Sequence, residues 1–259
     1  MLKLIILYIN TIKFLSIKQI LYRLLYYFFR VKFRIISFNA FKKDSKNKNK
    51  HWIIKNVHFP KSNNFQFLNA THKILNFSCT NKLPKLWVYN LHYFDYLITK
   101  DGLTNVKESK RLIYDWVFAE KNSLKVGLEP YPTSLRIVNT IKWLVLTEVE
   151  DKKLNDILLS QTKLLSKQVE WHIMANHLIA NAKALLFSGV FFSCNEATEF
   201  RKKGEKILKQ EIKEQILADG GHFERSPMYH SIILEDLMDI IELNNLFPNN
   251  IDIILIKEI

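Results

Sequence analysis

A mainly α fold assembled from helical hairpins is what this sequence predicts, and three observations carry the prediction. Six segments, 106–120, 134–149, 153–170, 171–192, 197–215 and 228–246, place apolar residues three and four apart, the period of one helical face. The connections between them are short, and successive helices of this length with brief loops pack as antiparallel neighbours. Only 6 Gly and 6 Pro among 259 residues leave too few turn formers for an all-β chain. With 48% hydrophobic and 24% charged residues, the composition is that of a folded chain able to bury one large core or two small ones. There is no strict internal repeat.

Taken in order, residues 1–60 form a basic arm and linker, and residues 61–259 the helical body. Of the 38 Lys and Arg, 13 fall in the arm beside one acid, Asp44, so nearly all of the +13 net charge sits there. No nucleic-acid partner is expected from so local an excess, whereas contact with an anionic surface stays open. The opening MLKLIILYINTIKFLSIKQILYRLLYYFFRVKF is interrupted by Lys3, Lys13 and Lys18, which keeps its apolar run below the roughly 18–20 residues of a membrane span. No small-residue cleavage site follows it, which favours a cytoplasmic or membrane-peripheral location over a periplasmic one. Ile20, Leu21, Leu24, Leu25, Phe28 and Phe29 recur at helical spacing between Lys18, Arg23, Arg30 and Lys32. This amphipathic helix either packs on the body or attaches peripherally to a membrane through residues 1–34. Residues 39–64 are polar and lysine-rich and read as a linker, and short alternating runs within 65–77 suggest a small β excursion. Cys79 and Cys194 lie far apart without CxxC spacing, so both are expected to be buried thiols and not members of a disulfide framework or zinc ribbon.

Three stretches carry chemistry. In LWVYNLHYFDYLI, residues 86–98, Tyr89, Asn90, His92 and Asp95 sit among aromatics. That is either a core element or a sugar platform, since aromatic faces stack on pyranose rings while amides and imidazoles bond the hydroxyls. WHIMANHLIANAKALLFSGVFF is apolar nearly all round, the mark of an enclosed helix, yet it holds Asn176, His177 and Asn181. Such groups either bond neighbouring backbone or line a polar cavity, because leaving them unpaired costs a few kcal/mol each. In DGGHFERSPMYH, residues 219–230, Gly220 and Gly221 end one helix, and Ser226 with Pro227 signals the start of the next. Tyr229 then lies in a first turn, at the positive end of the helix dipole. His222, Glu224, Arg225 and His230 crowd the same dozen residues.

Four ordered motifs, WVYNLHYFDYL, EPYPTSLRIVNTIKWL, NHLIANAKALLFSG and DGGHFERSPMYHSIILEDL, resemble the N-terminal helical domain of the heparinase II/III-like polysaccharide lyases, relatives of which include alginate lyases. The likeness runs over residues 87–243. It implies an incomplete α/α toroid, followed in the family by a β-sandwich domain, and cleavage of uronic-acid polysaccharides by β-elimination. Asn176 and His177 match the pair that binds and neutralises the uronate carboxylate, and Tyr229 matches the tyrosine that serves as base and acid. Their separation, 53 positions from Asn176 to Tyr229, is similar to the family's. The resemblance further implies an acidic polysaccharide as partner and no cofactor in this chain, the family's metal site lying in the sandwich. After Leu243 the sequence runs NNLFPNNIDIILIKEI, from which we expect the front portion of a lyase, with a separately encoded β-sandwich portion as a further partner.

The chemistry explains the residue types. Removing the C5 proton of a uronate puts a second negative charge beside its carboxylate, so an amide donor and an imidazolium there stabilise the developing enolate. A phenol with an ordinary pKa of about 10 needs cations or a dipole to act as a base, for which Arg225, His230 and the helix N-terminus are candidates. Arg136 either anchors a carboxylate or sulfate of the substrate or forms a structural ion pair. Glu224 either orients His177 or Arg225 or makes a structural pair. A zinc hydrolase built on His172, His177, His222 and His230 has neither HExxH nor a usual ligand spacing to support it. Two other classes of function stay open, an inactive module binding acidic glycans and a peripheral membrane or interaction protein.

Overall fold

A computed structural model of the chain describes residues 7, 10, 12–28, 32–78, 80, 82–120 and 124–259. Lys3, Phe29, Arg30 and Cys79, named above, lie outside the described residues. Among the described residues there are ten α-helices and four short strands, as the helical periods predict.

Helix α1, Ile17–Phe28, opens with a capping box: Gln19 N–H donates to Ser16 Oγ, and Ser16 N–H donates to Gln19 Oε1. It touches the body through Tyr22 against Trp171 and Tyr26 stacked on His172, yet none of its residues is buried. Residues 39–64 are held along the body instead of hanging free. Strand β1, Phe41–Lys42, pairs with β4, Phe192–Ser193, while Trp52 enters the core and Lys50 bonds the Val145 carbonyl. The expected β excursion is a hairpin of β2, Asn64–Phe67, and β3, Ala70–Lys73. Its two-residue loop, Leu68 and Asn69, has φ of +52° and +59°, the positive values a tight hairpin turn requires. Phe65 and Phe67 point inward, and Trp87 of α2, Lys85–Tyr93, donates its indole N–H to the Ala70 carbonyl.

The array continues with α3, Lys100–Thr104, and α4, Val106–Phe118, then α5, Pro130–Thr147, and α6, Lys152–Lys167. Helix α7, Asn176–Phe191, lies at the centre, with every residue from 178 to 191 buried. Helix α8, Asn195–Gln215, packs closely along it. Gly189 and Gly204 permit this approach, since a Cβ on Gly189 would stand 2.5 Å from the Arg201 nitrogen and one on Gly204 2.7 Å from the Ala182 carbonyl. Cys194, expected to be a buried thiol, is only half-buried and caps α8 by accepting from the Ala197 N–H. Helix α9, Pro227–Leu246, returns along α7, and α10, Ile253–Glu258, closes the described chain.

Two helix starts differ from the sequence reading by several residues, and the first, read at Ser134, lies at Pro130 with the proline in the opening turn. The helix expected from Trp171 begins at Asn176, because Met174 and Ala175 adopt φ of +70° and +52° and break the turn before it. Non-glycine residues rarely take this conformation, and nothing in WHIMANH announces it.

Candidate active site

That break places Asn176 and His177 in the first turn of α7, where unpaired backbone N–H groups and the dipole favour an anion. On α9, Ser226 is the N-cap and Tyr229 the third helical residue, the Ser226 oxygen accepting from the Tyr229 N–H. The two starts are brought to one end by the way α7 and α9 pack. Lys183 Nζ stands 2.8 Å from Asp236, a separation of 53 residues, and Phe191 meets Phe247 near the other end at 6.2 Å between ring centroids. The helices therefore run parallel. Seven residues back from Lys183 and from Asp236 stand Asn176 and Tyr229, also 53 apart, so both sit about two turns above the ion pair.

Between these helices, α2 and α5 lies a cavity of ≈ 190 Å³. Ala180 and Lys183 of α7 and Ile232 and Asp236 of α9 line it. Asn176, Ala180 and Lys183 form one stripe at i, i+4 and i+7, and Tyr229, Ile232 and Asp236 another at i, i+3 and i+7. Asn176 and Tyr229 thus continue, one turn on, the two stripes that line the cavity, and with His177 they are half-buried.

The cavity's floor is ionic. Lys183 contacts Asp236 and Asp239, and Lys142 of α5 stands 2.5 Å from Asp239. Burial penalises each charge. Against that penalty the two aspartates hold the Lys183 ammonium above its usual range and the lysines hold Asp239 below the usual carboxylate range, whereas burial lowers Lys142 to about 8.

Aromatic rings lead from α2 to His177. Tyr89, Tyr93 and Tyr131 follow one another at centroid distances of 6.1 and 5.9 Å, and Tyr131 lies 4.4 Å from the His177 ring. Burial raises all three phenols, with Glu129 adding to the rise at Tyr89 through the hydrogen bond it accepts. They remain protonated donors at neutral pH.

His177 has a partner that the sequence reading did not single out. Its Nδ1 stands 3.1 Å from Glu170 Oε2, an ion-pair distance without hydrogen-bond alignment. Glu170 is buried and held by Asn181, whose amide donates to Glu170 Oε2 at 3.1 Å and to Ser134 Oγ at 3.0 Å while accepting the Glu170 N–H. Asn181 thus takes the bonding alternative offered for this helix. The carboxylate beside His177 is Glu170 and not Glu224, which is exposed with Arg225 and His230 around the α9 start.

Two expected substrate contacts are corrected. Arg136 is fully buried: its Nε donates to Gln161, its terminal nitrogens to the His92 carbonyl and Thr133, and its guanidinium lies 3.9 Å over the Trp116 ring. His92 is equally enclosed, accepting the Trp116 indole N–H on Nδ1, and burial followed by the neighbouring Arg136 lowers its pKa to about 3. Neither reaches a surface open to a polysaccharide. Asn90 does line the cavity, although its amide donates to the Leu86 carbonyl.

Residues 144–251 match the heparinase II/III N-terminus family, a span that contains Asn176, His177 and Tyr229. Two heparin-sulfate lyases are similar in sequence: that of Bacteroides stercoris, 35% identical over 80 residues, and that of Pedobacter heparinus, 43% identical over 56 residues. Over residues 144–251 the chain is similar to this family. These alignments cover 28% and 21% of this chain, and 12% and 8% of the two lyases. In fold, the chain is similar to the heparan sulfate lyase HepC of Pedobacter heparinus, with a TM-score of 0.57 at 19% identity, covering 76% of this chain and 35% of that one. A second solved structure, the heparinase III-BT4657 gene product, gives a TM-score of 0.53 at 16% identity over 76% of this chain and 37% of its own. The chain thus spans about a third of the length of these structures, and its mainly α fold is similar to the part of them that it covers. Signals for the residues missed lay in that same span: Glu170 before the helix, and Lys183, Asp236 and Asp239 as charges inside apolar runs.

Proposed function

We propose that this chain carries out its part of a polysaccharide lyase reaction, β-elimination at a uronate of an acidic, sulfated glycan. In this reading the Asn176 amide, the His177 ring and the first-turn N–H groups of α7 receive the uronate carboxylate. The Tyr229 phenolate takes the C5 proton. The charge spreads into the carboxylate as an enolate, the C4–O4 bond breaks as the C4=C5 double bond forms, and the phenol returns its proton to the departing O4. Glu170, fixed by Asn181, acts on His177 as a positioning residue. Its carboxylate makes Nδ1 the protonated nitrogen and leaves Nε2 for the substrate. Tyr89, Tyr93 and Tyr131 serve as a stacking wall for the sugar rings.

The observation that carries this reading is the shared 53-residue offset, by which the Lys183–Asp236 contact and the Asn176–Tyr229 pair belong to one parallel packing of α7 and α9. Support for the substrate class comes from the two similar lyases, whose names specify heparin sulfate. The test is incubation of the protein with heparan sulfate and with alginate, following the ultraviolet absorbance of the unsaturated uronate. Product with one of these, reduced at least a hundredfold in Tyr229→Phe and in Asn176→Ala, is the expected result. Saturable glycan binding that depends on Asn176 and His177 without any product would leave a binding module in its place.

A further inference from the structure

Beside the candidate site lies a second and larger hollow, ≈ 710 Å³, between α1, the end of α6 and the 168–175 segment that leads into α7. Its walls are aromatic and cationic. Tyr22 and Tyr26 of α1 face Trp171 and His172, and Lys18 Nζ lies 3.8 Å over the Trp171 ring. Lys125, Lys167 and Lys203 line the rest. Lys125 and Lys167 are exposed, and no ion pair to either is formed among the described residues. Lys203 is more enclosed, its Nζ donating to the Ser166 carbonyl, and burial lowers its pKa. Arg23 is near enough to His172 to depress its pKa further once burial has lowered it. One carboxylate, Glu129, belongs to the lining, and it is already engaged by the Tyr89 hydroxyl and by Lys85 at 3.0 Å.

Two connections link the hollow's lining to residues of the candidate site. Glu129 joins it to Tyr89, the first of the rings leading to His177, and Trp171 and His172 lie on the short segment whose end is Asn176. A groove whose lining holds three lysines against one carboxylate, together with exposed ring edges, fits a chain that is anionic and built of rings with apolar faces. Its volume is that of a ligand site, within the ~300–1,000 Å³ such sites occupy. We propose that this groove is an extended subsite for the acidic polysaccharide, with α1 as its outer wall, holding sugar units several positions from the one bound at Asn176, His177 and Tyr229. The proposal rests on the lyase reading for the identity of the chain bound, but the groove's own chemistry asks only for an anionic glycan.

The experiment measures binding apart from turnover. In the full chain carrying Tyr229→Phe, affinity for long heparan sulfate chains and for a tetrasaccharide made from them is determined by calorimetry at two salt concentrations. Lys125→Glu with Lys167→Glu should weaken binding of the long chains by about tenfold and flatten its salt dependence. The tetrasaccharide, which offers the groove fewer sugar units, should lose less affinity than the long chains do. Trp171→Ala should weaken the long chains without changing the salt dependence. Unchanged long-chain affinity in the double variant would overturn the proposal. So would an equal loss from Lys107→Glu, a charge change at an exposed position of α4 outside the groove, since net charge would then be the cause. Groove-dependent binding only to phosphatidylserine vesicles would overturn it as well. If wild-type protein yields no unsaturated product while the double variant still loses the long chains, the groove stands and the lyase reading fails.

Discussion

His92 has its ring enclosed by Phe77, Trp116 and the backbone at Gly127, and that enclosure sets its charge. Its Nδ1 accepts the Trp116 indole N–H at 2.9 Å, a bond available only while that nitrogen is unprotonated. The fold therefore refuses a proton until about pH 3, whereas the unfolded chain binds one near 6.5. Between these values the unfolded state holds more protons, so stability rises with pH through the window and is lost as pH falls. Up to ~4–5 kcal/mol is at stake in this one ring. Thermal unfolding followed from pH 7 to pH 4 should show a falling Tm, and His92→Gln, which can still accept from Trp116, should remove most of that slope beyond what the carboxylates cause. An unaltered slope would show that His92 is not the group refusing the proton. Residues of this kind were the hardest to read from sequence. His92 and Arg136 stand in motifs rich in polar groups, and an arginine is so seldom fully buried that surface chemistry was the natural inference. Tyr93 and Tyr131 were legible only as aromatics, since the ring-to-ring path to His177 joins residues on different helices.

Helices were read more securely than single side chains, because period and capping are local signals. Ser226 and Pro227 marked the start of α9, and the cap was found there, with Tyr229 in the first turn as expected. The start of α7 was misplaced by five residues because Met174 and Ala175 take positive φ without a glycine to announce it. Its close partnership with α8 was not evident either, although Gly189 and Gly204 carried it. A methyl group at Gly204 would collide with backbone on α7, at 2.7 Å from the Ala182 carbonyl and 2.9 Å from the Leu186 nitrogen, and neither atom can yield as a side chain would. Gly204→Ala should therefore destabilise the protein by about 1–3 kcal/mol despite the better helix propensity of alanine. Urea unfolding measures this, and a gain in stability would mean that α7 and α8 are not in contact there.

At the scale of the whole molecule, the question is what keeps α5, α7 and α9 in the relation that puts Asn176 and Tyr229 at one level. Lys142, Lys183, Asp236 and Asp239 come from all three helices and are almost wholly buried, so their bonding is coupled to the helix register. The sequence showed each as an isolated charge in an apolar helix, and only the packing reveals a neutral set of two cations and two anions. Removing Lys183 would leave Asp236 and Asp239 in the interior with Lys142 alone between them. Breaking a buried pair in this way typically costs about 3–5 kcal/mol, while replacing both partners with apolar residues costs much less. Lys183→Met should thus lower stability in urea by about that amount, and Lys183→Met with Asp236→Leu should recover at least half of it. The pair of variants also separates stability from alignment. If the network only stabilises, the double variant should regain both its unfolding midpoint and, on the lyase function proposed above, the rate of forming unsaturated uronate. If it sets the register of α7 against α9, stability should return while the rate stays at least tenfold down, because a displacement of about 1 Å at the helix starts is enough to misalign base and carboxylate site.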